Sequence, residues 1–104
     1  MQHPDQEGLE VLHPALDAWI PVPTIENTFV VNIGDVLSAW TNKQYRSALH
    51  RVINKGTKDR YSIPFFYDGT MSTEINALDG SDTGRRITVG EHFRARFSNA
   101  DLMT

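Results

Sequence analysis

Apolar residues in this chain come in runs of only a few, each cut off by a proline, a glycine or a polar turn. That pattern admits many short elements and excludes long ones, since no run approaches the roughly 20 residues of a membrane-spanning helix. Gly8-Leu9-Glu10-Val11-Leu12 and Ala18-Trp19-Ile20-Pro21-Val22 suit a pleated, half-buried surface, and the turn-prone His13-Pro14-Ala15-Leu16-Asp17 between them predicts two strands with a tight connection. Phe29-Val30-Val31-Asn32-Ile33 predicts a third strand, ended by Gly34-Asp35. Asp35 is placed to cap a short helix near 35–41, because its carboxylate can accept a bond from an orphan amide of the first turn. Leu37 and Trp40, three apart, would share the buried face of that helix.

The stretch from Tyr45 to Ile53 reads as extended, Gly56 marks a loop, and longer strands are expected from Arg60 to Tyr67 and from Thr73 to Leu78. Asp79-Gly80-Ser81-Asp82-Thr83-Gly84 is a polar loop. Beyond it the period changes, for Val89, Phe93 and Phe97 fall at i, i+4 and i+8 and predict an amphipathic C-terminal helix near 88–98. The fold class is therefore mainly β, with one short helix and one terminal helix docked on it. At 104 residues the chain makes a single small domain, 1–104, with a core of limited size.

Charge narrows the partners. Ten Lys+Arg against 13 Asp+Glu leave a net charge of −3 with no basic cluster, which supplies no field for nucleic-acid phosphates or anionic membranes. The N-terminus lacks the basic and apolar regions of a secretory signal, so a cytoplasmic protein is expected. With no cysteine, any metal must be held by histidine and carboxylates.

Four histidines are available. His3 lies in a polar terminus, His13 in a turn and His92 on the terminal helix, whereas His50 precedes Arg60-Tyr61-Ser62 by ten residues. Side chains two apart on a strand share a face, and an arginine beside a hydroxyl can grip a carboxylate through charge-assisted bonds. A turn at Lys55-Gly56-Thr57 would let two adjacent strands aim both groups into one site. Taken alone, His50 equally describes a strand histidine bonded to a backbone carbonyl. Arg60, Ser62 and Asp68 equally describe the solvated face of a strand packed through Tyr61, Ile63, Phe65 and Tyr67.

The order Val31-Asn32-Ile33-Gly34-Asp35, Ser47-Ala48-Leu49-His50-Arg51-Val52 and Arg60-Tyr61-Ser62-Ile63-Pro64-Phe65-Phe66 resembles the C-terminal half of the isopenicillin N synthase-like, Fe(II)/2-oxoglutarate-dependent dioxygenases. The likeness begins at Gly8-Leu9-Glu10-Val11, takes in Trp19-Ile20-Pro21-Val22 and runs to Gly90-Glu91-His92. It implies a partial double-stranded β-helix, or jelly roll, with the N-terminal part of the catalytic domain missing. It also implies an oxidoreductase that uses Fe(II), 2-oxoglutarate and O2 to hydroxylate, desaturate or ring-close a small molecule. By the same resemblance His50 is the distal histidine of a two-His-one-carboxylate metal site, Arg60 and Ser62 hold the distal carboxylate of 2-oxoglutarate, and Phe66 borders the substrate or simply packs.

One part of the family pattern is out of place. His3-Pro4-Asp5 fits the expected His-x-Asp literally, yet only Gln6 and Glu7 separate it from Gly8, too few for the strand the family has there. It reads as a decoy, and a chain with one metal ligand is expected to be inactive by itself. The alternative from another class is a non-catalytic β-module, or truncated remnant, that binds a small carboxylate or a protein partner. Missing strands would leave edges open to pairing with another chain, or keep the chain from folding alone.

Overall fold

The computed structural model describes residues 2, 4–81 and 86–101. Met1, His3, residues 82–85 of the expected polar loop and residues 102–104 lie outside them. The chain divides into two compact units, one of residues 1–32 and 48–66, the other of residues 33–47 and 67–104.

The first unit is an antiparallel three-stranded sheet of β1 (Leu9–His13), β2 (Ala18–Pro21) and β3 (His50–Val52) in the order β2-β1-β3. The hairpin predicted from residues 8–22 forms, with its reversal at residues 14–17. Asp17 takes the left-handed conformation, φ 45°, which short polar side chains tolerate. Pro21 has no amide to donate and sits on an edge strand, where none is required. Register pairs Glu10 with Pro21 and Arg51, and Val11 with Ile20 and His50. Alternation then sorts the side chains: Leu9, Val11, Ile20, His50 and Val52 share one face, and Glu10, Leu12, Trp19 and Arg51 the other.

On that second face Glu10 is only 4% exposed. Its carboxylate accepts bonds from Arg51 Nε and Lys55 Nζ, both at 2.7 Å, and the Arg51 guanidinium lies 4.1 Å above the Trp19 ring. Buried charge survives where it is paired in this way. The Lys55 and Arg51 hydrogen bonds, in that order, hold the Glu10 carboxyl below its ordinary pKa, and burial opposes them.

Two predicted strands are absent. Residues 29–33 are irregular, with Phe29 75% and Val31 86% exposed, and of the strand expected over 60–67 only a single bridge between Ser62 and Gln2 is present. Their β-prone side chains meet no neighbouring ladder among the described residues, and β-propensity is realised only against one. The extended stretch 45–53 narrows to β3 for the same reason.

The second unit holds α1 (Asp35–Trp40), a two-stranded antiparallel sheet of β4 (Glu74–Ile75) and β5 (Ile87–Thr88), and α2 (Val89–Asp101). The strand expected over 73–78 is thus reduced to two residues. Asp35 is not the cap of α1. Gly34 carries the extended cap backbone, and Asp35 begins the helix, where its charge faces the helix dipole and pairs with Arg96. Nor are Leu37 and Trp40 a buried face, since α1 buries no residue.

The terminal helix forms where its period predicts. Glu91 N–H donates to Thr88 Oγ1 at 3.2 Å and Thr88 N–H to the Glu91 carboxylate at 2.7 Å, the reciprocal bonds of a capping box. Val89 is fully buried and Ile75 nearly so, making the apolar core of this unit. No helix among the described residues is long and apolar enough to cross a membrane.

Candidate functional site

His50 lies on β3, and its Nδ1 is 2.9 Å from the carbonyl oxygen of Ala48. A carbonyl only accepts, so Nδ1 is the donor and Nε2 is the nitrogen left to meet a ligand. Nε2 has no hydrogen-bond partner among the described residues. An imidazole fixed through one nitrogen with the other left free is how metal-ligating histidines are held. The strand alternative also includes the carbonyl bond, so the two readings differ only in what Nε2 meets. The exposed ring shares its sheet face with the apolar side chains of Leu9, Val11, Ile20 and Val52.

Arg60 is half-buried. Its Nε donates to the Gln6 carbonyl at 3.3 Å and its Nη2 to Gln2 Oε1 at 2.9 Å. Both acceptors are neutral, and no carboxylate among the described residues pairs with it. Ser62, two residues on, bridges Gln2 through its backbone, and its side chain is exposed. Phe66 is 74% exposed, so the packed alternative for it is not realised in this unit. Asp68, expected to share a strand face with Arg60 and Ser62, falls in the other unit.

His50, Arg60 and Ser62 therefore belong to one compact unit, although not on adjacent strands as expected. The strand beside β3 is β1. Gly8 stands at the junction: its carbonyl accepts the Ile53 amide at 2.8 Å, and the Arg60 side chain lies against its Cα, where a Cβ would come 2.8 Å from Arg60 Cδ and Nε. Gly8, Gln2, Gln6 and the Glu10 ion cluster were not singled out as site residues by the sequence. The one available signal was the glycine opening a β-prone segment, a position where close backbone approach is common.

Among the described residues no three histidine, aspartate or glutamate side chains gather into a metal site. Asp5 is exposed and His3 lies outside the described residues. The donor set thus fits a divalent metal at one position, His50, and does not complete it. Two hollows on this unit, of about 560 Å³ beside Glu7, Glu10 and Lys55 and of about 680 Å³ beside Ile25 and Phe29, take in none of His50, Arg60 and Ser62.

Comparison with known proteins is consistent in direction. Residues 1–69 match the model of the 2OG-Fe(II) oxygenase superfamily. The chain is 46% identical over 99 residues to the 2-oxoglutarate-dependent dioxygenase tropC of Talaromyces stipitatus, covering 95% of this chain and 30% of that protein. It is 42% identical over 97 residues to the 2-oxoglutarate-dependent dioxygenase caaD of Aspergillus niger, covering 93% and 30%. Among solved structures it superposes on the rice dioxygenase for auxin oxidation with a TM-score of 0.81 at 30% identity, covering 95% of this chain and 36% of that one. A full-length Neurospora crassa protein in complex with alpha-KG gives a TM-score of 0.78 at 31% identity, covering 93% and 33%. The chain spans about 30% of the length of these curated relatives.

Proposed function

The chain belongs to the 2OG-Fe(II) oxygenase superfamily, whose members use Fe(II) and 2-oxoglutarate, and on that premise we propose that residues 1–104 are the C-terminal part of one such catalytic domain. The domain is a double-stranded β-helix, and the whole cytoplasmic protein hydroxylates, desaturates or ring-closes a small molecule with O2. His50 Nε2 is a ligand to the metal. Arg60 and Ser62 hold the distal carboxylate of 2-oxoglutarate, and Phe66 borders the substrate. Bound Fe(II) would supply the oxygen chemistry, while the protein supplies ligation and orientation.

The observation that carries this reading is the His50 imidazole, whose Nδ1 donates to the Ala48 carbonyl while Nε2 has no partner among the described residues, on a sheet face shared with apolar side chains. Arg60 contributes a cation whose described partners leave its charge unneutralised, which suits a dicarboxylate.

A second reading is favoured by one observation, the lack of a three-residue metal cluster among the described residues. In it the chain is a β-module that binds a small carboxylate through Arg60 and Ser62 without a metal. Calorimetric titration of 2-oxoglutarate into the full-length protein, with and without Mn(II) in place of Fe(II), separates the two. The oxygenase reading expects binding that requires Mn(II) and is lost in His50→Ala. Binding indifferent to both supports the module and overturns the oxygenase.

A further inference from the structure

We propose that Gly8 and Gln2 are positioning residues for Arg60, and that together they determine which edge of its guanidinium is offered to a carboxylate. The proposal rests on the reading of Arg60 as the 2-oxoglutarate grip.

A guanidinium has two edges that can give parallel bonds to a carboxylate, the side edge of Nε and Nη2 and the end edge of Nη1 and Nη2. In Arg60 the side edge is taken, Nε by the Gln6 carbonyl and Nη2 by Gln2 Oε1. Nη1 has no partner among the described residues. The free parallel pair is therefore at the end of the side chain. Because both partners are neutral, they orient the cation and leave its charge for an incoming anion. Arg51 is the contrast: its Nε goes to a carboxylate, and its charge is consumed within the sheet.

Gly8 sets where the Arg60 stem runs. It is buried, and a Cβ there would meet Arg60 Cδ and Nε at 2.8 Å and the Ile53 carbonyl at 3.0 Å. The Ile53 carbonyl at 3.0 Å must give by a few tenths of an ångström, whereas Cδ and Nε, at 2.8 Å on a flexible side chain, must move further, so Arg60 takes most of the displacement. Gly8 is not in the left-handed backbone region, and alanine there brings no backbone strain of its own. Gly8→Ala should therefore shift Arg60 while β1 keeps its pairing.

The test compares 2-oxoglutarate with 2-oxobutanoate, which lacks the distal carboxylate, by titration into the full-length protein loaded with Mn(II). Preference for the dicarboxylate measures the Arg60 grip, and a general folding defect would weaken both ligands alike. Gly8→Ala is expected to reduce that preference about tenfold, and Gln2→Glu, which is close in shape but supplies an internal carboxylate, by at least as much. Should either variant keep the wild-type preference, or lose affinity for both ligands equally, the positioning role is overturned. Arg60→Ala separates this from the underlying reading: if it too keeps the preference, Arg60 is not the grip, whereas loss in Arg60→Ala alone overturns only the roles of Gly8 and Gln2.

Discussion

The two units are held together by different means. Residues 33–47 and 67–104 close around an apolar centre, with Val89 fully buried, Ile75 beside it and a capping box starting the helix that carries Val89. In residues 1–32 and 48–66 the buried side chain of note is a carboxylate, Glu10, tied to Arg51 and Lys55, and the apolar side chains stay largely open, with Phe65 87% exposed. Apolar closure stabilises without direction, whereas ion pairs and backbone bonds fix particular side chains at particular angles. In the unit that carries His50, Arg60 and Ser62 the buried contacts are directional ones, whereas the other unit adds an apolar centre to its cap and ion pair. That is the arrangement expected where a face must stay accessible to ligands.

The sharpest way to break this contrast is to remove the apolar centre. Val89→Ala should cost about 2–3 kcal/mol, read by denaturant unfolding with a fluorescence or circular-dichroism probe. A loss no greater than that of a surface substitution would mean that Val89 is not a centre at all. Next in size is Thr88→Ala, which removes one half of the capping box and should cost about 1 kcal/mol, seen as faster hydrogen exchange in the first turn of α2. The contrast is sharpened by Gly8→Ala, which should lower the melting temperature less than Val89→Ala does while altering carboxylate preference.

The smallest effect concerns acid. Since the Glu10 pKa is lowered in the folded chain, its contribution to stability is complete above its ordinary value of about 4.5 and is lost as pH falls through the folded value. Glu10→Gln should therefore flatten the acid limb of a stability-against-pH curve. Asp79, lowered by its bonds from Ser81, adds a limb of the same sign that Glu10→Gln should leave in place. An unchanged curve in the variant would show that the Glu10 cluster does not order the sheet.

What could be read from the sequence follows the range of the interaction. The β1–β2 hairpin and the terminal helix announce themselves within a few residues, by turn chemistry between two β-prone runs and by the helical period of Val89, Phe93 and Phe97. Residues 29–33 and 60–67 carry equally strong β-prone side chains, but a strand also needs a partner, and that partner is not encoded nearby. The same limit applies to the site. His50, Arg60 and Ser62 stand out by spacing along the chain, whereas the contact of Arg60 with Gly8, and its bond to Gln2, join residues more than fifty positions apart. Asp35 illustrates a finer limit, because a cap is decided by one residue's backbone angles and Gly34 took the position.

The bond between His50 and Ala48 joins the first residue of β3 to the segment just before it, two positions back. The tether that orients the ring is accordingly contained in a tripeptide, residues 48–50. Moving that orientation into another scaffold would therefore take residues 48–52, since β3 alone leaves the acceptor behind.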